Sequence, residues 1–156
     1  MTVLAGGWVD AAPFRAHLRF LTGVGLLTIE DLATLADISV SAADHLLHGR
    51  AGRAVRRISP EMARRLLAIS ANDVRSMRWR LGPAEKAQIP LAELRRAGHS
   101  DAEIAEVAGI SATELAELAT RPQHCSQLLI IRLTTMARCY ANELGRPRSS
   151  ALVEAA

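Results

Sequence analysis

The sequence predicts an all-α protein made of two similar units of about four helices each, and three observations carry that prediction. Of 156 residues, 28 are Ala and 21 Leu, against 8 Val, 9 Ile and 5 aromatics, a composition that favours helix over strand. Shifted by 72 positions the chain overlays itself: Thr28–His48 falls on Ser100–Thr120 with five of 21 positions identical, among them Ala33/Ala105, Ile38/Ile110 and Ser39/Ser111. Each copy opens on a hydroxyl three residues ahead of a carboxylate (Thr28 with Asp31, Ser100 with Glu103), the pattern of a helix N-terminal capping box.

The elements follow in order. Pro13–Val24 is an amphipathic helix closed by Gly25. A short helix runs from Thr28 to about Ala36, Asp37 occupies a turn, and Ser39 caps a second helix. Ser59-Pro60 opens a further helix, with Met62, Leu66 and Ile69 at helical spacing. The second unit repeats the scheme: Pro90–Ala97 closed by Gly98, a helix from Ser100 to Ala108, a turn at Gly109, a helix from Ser111, and a last helix, Ser126–Leu144. The units span 8–70 and 89–145. Between them 71–88 is a linker containing the breaker pair Gly82-Pro83, and its Asp73–Leu81 stretch reads equally as helix or as extended chain.

Composition also excludes classes. The longest aliphatic run, Leu128–Ile131, is far short of the roughly 20 residues that span a bilayer. Met1–Val9 lacks the basic residue of a secretory leader, and two cysteines, Cys125 and Cys139, make no disulfide framework, so a cytoplasmic location without membrane contact is expected. No phosphate loop, HExxH or ordered nucleophile set occurs, so no catalysis and no cofactor are expected. His124, Cys125 and Cys139 lack metal-ligand spacing. Trp8 and Trp79, which flank the first unit, are expected to cover its apolar surface.

Charge separates the halves. From Arg50 to Arg80, nine Arg face only Glu61 and Asp73, whereas from Glu85 to Thr120 seven acids face three bases. Different partners are expected for the two halves.

Within each copy, Ala sits where two short helices must cross closely, a turn follows, and aliphatics line the seam beneath the second helix: Leu32, Ala33, Ala36, Ile38, Ala43, Leu46 and Ile104, Ala105, Ala108, Ile110, Leu115, Leu118. This is the pattern of a helix-turn-helix. The Gly109-Ile110-Ser111 run resembles the Gly-Val-Ser turn common in that superfamily, and the four-helix unit is similar to the phage-repressor-like group. WVDAAPFRAHLRFLTGVG followed by ADISVSAADHLLHGRAGRAVRRISPEMARRLLAI resembles actinobacterial and actinophage DNA-binding proteins that join a Leu-Leu-x-Gly-Arg recognition-helix ending to an Arg-rich loop and a Pro-Glu-x-Ala helix. In that group a second, weaker helix-turn-helix often follows, so the resemblance covers about 8–144 and implies a tandem arrangement that binds double-stranded DNA. The chain departs from the pattern at Asp37, where the group has Gly, at Val40, often polar or basic there, and in the acidic Ala112–Thr120.

The residues themselves suit that partner. On the helix from Ser39 the candidate base-reading set is Val40, Ser41, Asp44, His45 and His48: an apolar contact for a thymine methyl, donors, and an acceptor for a cytosine amino group. Arg50, Arg53, Arg56 and Arg57 are candidate phosphate contacts, together with Thr28 and Ser39 at helix N-termini. The second unit, acidic where DNA would approach, is expected to associate with protein instead. Its last helix carries more aliphatic surface than one small unit needs, which a homodimer or docking onto the first unit would cover.

Overall fold

The computed structural model describes residues 7–120 and 123–145, so the first six residues, on which most of the leader expectation falls, lie outside it. The chain is mostly helical. In order it forms β1 (Val9–Asp10), α1 (Ala12–Gly23), α2 (Ile29–Leu35), α3 (Val40–His48), β2 (Arg57–Ile58), α4 (Pro60–Leu67), α5 (Ala71–Ser76), β3 (Leu81–Pro83), α6 (Glu85–Arg96), α7 (Asp101–Ala108), α8 (Ala112–Thr120), β4 (His124–Ser126) and α9 (Gln127–Gly145). The strands are clips rather than layers: β1 pairs antiparallel with β2, Val9 opposite Ile58, and β3 with β4, Leu81 opposite Ser126.

Local chemistry sets most helix starts. Thr28, Ser70 and Ser100 each form a reciprocal capping box with the acid three residues on, and Ser111 does the same with Glu114. Ser39 and Ser59 accept from the amides of Ala42 and Met62. The turns between paired helices need positive φ, which Asp37 supplies at 53° and Gly109 at 66°. Asp37 is held there by Arg65, which donates to its carbonyl and, at 3.0 Å, to its carboxylate.

Two apolar clusters form. The first gathers Phe14, Leu18, Leu21, Leu32, Leu46, Ile58 and Leu66 from α1–α4, and the second gathers Leu91, Leu94, Ile104, Leu115 and Leu118 from α6–α8. Helix α9 joins them, because successive residues on a helix point about 100° apart. Leu128 and Ile131 enter the first cluster, Leu129 and Leu133 the second. Part of the aliphatic surface of α9 is therefore covered within the chain, while Leu144 stays exposed. Arg132 reinforces the junction, donating to Ala108 O at 2.9 Å and Leu26 O at 3.3 Å.

Three expectations are corrected. The segment 71–88 is no free linker: α5 buries Val74, the following turn buries Met77 in the first cluster, and β3 pairs with β4. Helix α6 begins at Glu85, five residues before Pro90, which lies inside it and is buried. The turns ahead of it bury Ala84 and Ala87 in the second core, so the helix extends N-terminal to a proline that donates no backbone hydrogen bond. Trp8 and Trp79 are 49% and 70% exposed and neither joins the first cluster, which closes around Phe14 without them.

Candidate nucleic-acid interface

Helix α3 lies on α2 through Ala43 and Leu46, both buried, which turns the opposite face outward. On that face Ser41, Asp44 and His48 are exposed and His45 is half-buried. His48 Nδ1 sits 2.8 Å from Asp44 Oδ1, one helical turn away, so acceptor and ring are held in a fixed relation. Val40 is pulled partly inward against the first cluster, which leaves less of it for a base contact. Ser39 is exposed at the N-cap, its hydroxyl used on Ala42 N.

Beyond His48 the chain reverses in a tight hairpin. Arg50 and Arg53 exchange backbone hydrogen bonds at 2.9 and 3.0 Å across Ala51-Gly52, whose φ values of 50° and 73° mark an I′-type turn. Gly49 permits it: φ is 84°, and a Cβ there would stand 2.5 Å from Arg53 O, so no other residue fits without displacing the hairpin. The turn sets Arg50 and Arg53 side by side at the end of α3, with Arg56 and Arg57 a few residues on at β2. All four are exposed. Among the described residues none of the four forms an ion pair, whereas Arg64, Arg65, Arg80 and Arg95 each have a carboxylate partner. The result is a concentrated run of exposed positive charge that begins two residues after α3 ends.

Thr28 is not part of this surface. Its hydroxyl and amide are both used in the capping box with Asp31, whose buried carboxylate already holds the start of α2, and it lines a cavity with His99, Arg132, Tyr140 and Glu143 at the junction of the two clusters. An anion there would meet a carboxylate first.

Sequence reasoning missed the residues that hold the surface in place. Arg15 of α1 donates Nε to Leu46 O at 2.8 Å and Nη2 to Val55 O, so one guanidinium ties the last turn of α3 to the chain beyond the hairpin. Arg19 donates to Leu47 O at 3.4 Å. Their partners lie 28 to 40 residues downstream, and no local spacing signals such a pairing. β1 adds a backbone anchor, with Ala11 N donating to Arg56 O at 3.0 Å.

The second unit differs at the equivalent place. Helix α8 exposes Thr113, Ala116, Glu117 and Thr120 with no base among them, and Glu114 is turned back onto Ser111 N at 2.7 Å. Among the described residues no His/Cys/Asp/Glu group has metal-binding geometry, and no helix is long and apolar enough to cross a membrane. No family model, curated protein or solved structure matches the chain.

Proposed function

We propose that the protein is a sequence-specific DNA-binding transcriptional regulator built as a tandem of helix-turn-helix units, of which the first binds DNA. The observation that carries this reading is the run of exposed Arg50, Arg53, Arg56 and Arg57, without an ion pair among the described residues, fastened to the end of a helix whose own exposed face is polar. With α3 in the major groove, Ser41 and the Asp44–His48 pair reach base edges and His45 contributes at its margin. The Arg hairpin meets the phosphates alongside, where guanidinium groups bind bidentately and release counterions. Ser39 lends the α3 N-terminus to the same backbone. The α7–α8 pair, acidic and without a base on its exposed recognition face, serves protein contact: it packs through α9 against the DNA-binding unit of the same chain.

The test is an electrophoretic shift with genomic fragments at two salt concentrations and excess competitor DNA. A discrete complex that survives competitor supports the reading. A protein that only bridges other proteins gives none.

A further inference from the structure

A cleft of about 810 Å³ opens between β1, the start of α1, the chain at 54–57 and the end of α4. Its volume is in the range of small-molecule sites. The walls are largely apolar, formed by Val9, Phe14, Val55 and Leu67, and Leu67 is 54% exposed at the end of α4. Three arginines border it. Arg15 is committed to the carbonyls of Leu46 and Val55, but Arg56 and Arg57 are exposed and form no ion pair among the described residues. The one acid in the lining, Asp10, uses its carboxylate on Ala12 N at 3.1 Å and pairs only through its backbone with Arg57.

An apolar trough whose lining includes Arg56 and Arg57, neither in an ion pair among the described residues, matches one ligand chemistry, and we infer that it binds a small amphipathic anion, a hydrocarbon chain or ring ending in a carboxylate or phosphate. The tail lies along Leu67 and Val55, where it leaves water. The anionic end takes charge-assisted hydrogen bonds from Arg56 and Arg57. Because the same two arginines are the proposed phosphate contacts, ligand and DNA exclude one another, and the cleft is an effector site that releases the protein from DNA. This regulatory half rests on the DNA-binding reading; the binding half does not.

Isothermal titration of the full chain with octanoate, octyl phosphate, octanol and inorganic phosphate, in the absence of DNA, tests the site. Octanoate and octyl phosphate should bind at least roughly tenfold more tightly than octanol or phosphate alone, and the stronger of the two identifies the head group. The double variant R56Q/R57Q should bring the anions down to the level of octanol. L67Q, at an exposed position outside the DNA face, should weaken both anions roughly five- to tenfold by removing apolar contact, with an unchanged circular dichroism spectrum. Octanol binding as tightly as octanoate, absence of heat from all four, or full binding to L67Q each overturns the site. Octanoate should then dissolve the protein–DNA complex; a complex indifferent to bound octanoate overturns the competition. Ligand binding with no DNA complex under any condition leaves the cleft standing and defeats the DNA reading.

Discussion

Arg15 Nε lies 2.8 Å from the carbonyl oxygen of Leu46, and through this bond helix α1 holds the end of α3. The other arm of the guanidinium reaches Val55 O, so the Arg50–Arg53 hairpin is gripped on both sides by a residue that does not belong to it. Arg15→Met keeps the apolar stem and removes both donors. It should cost about 1.5–3 kcal/mol, the range for hydrogen bonds to a charged group. Urea unfolding measures it, and an unchanged midpoint would show the bonds contribute nothing. DNA affinity should fall as well, although Arg15 touches no phosphate in this arrangement.

The double variant R53A/R56A should weaken DNA binding and lower the slope of log affinity against log salt by roughly one to two units, one for each phosphate that is no longer neutralised. A slope equal to that of the parent protein would place the phosphate-binding residues elsewhere.

Ser41→Ala and His45→Ala should relax base preference by about 1–3 kcal/mol per contact while leaving non-specific affinity nearly intact. Since Ser41 is exposed and His45 half-buried, the serine variant should show the larger change in specificity. Selection from random DNA reads this directly. Recovery of the parent motif by both variants would remove these residues from the reading set.

Helix α9 serves two cores at once, which predicts the behaviour of its aliphatic stripe. Light scattering should return a mass near 16.8 kDa across a concentration series. Ile131→Ala should lower stability by about 2–4 kcal/mol through the cavity it leaves in the first cluster, without altering that mass. A concentration-dependent doubling abolished by the same variant would restore the dimer.

The capping boxes of the second unit make its stability sensitive to acid. Backbone and side-chain hydrogen bonds from Ser100 and Ser111 hold the carboxyls of Glu103 and Glu114 below their ordinary value of 4.5. A depressed folded-state pKa contributes stability that is present above 4.5 and is lost as pH falls through the lower folded value. The double variant E103Q/E114Q should therefore show a shallower fall in melting temperature between about pH 5 and about pH 3 than the parent. Parallel curves would mean the boxes form equally well in the unfolded chain.

The sequence by itself determined the helical class and the helix starts at Thr28, Ser39, Ser59, Ser100 and Ser111, because caps and turns depend on residues three or four positions apart. It also determined the turns at Asp37 and Gly109 and the charge contrast between the halves. Only the tertiary structure decided what happens between distant residues. It drew 71–77 into the first core and began α6 ahead of Pro90. It also placed Thr28 at the junction of the two clusters and turned Val40 partly inward. The same holds for α9, whose width was visible as a pattern but whose two destinations depended on where both cores stood. Arg15 shows the reason most plainly: its partners are carbonyl oxygens 31 and 40 residues away, and a carbonyl carries no mark of identity in the sequence. Which backbone group needs a donor is known only after the helices have packed, since burial of the apolar stripes comes first and the polar contacts are those the packed chain leaves within reach.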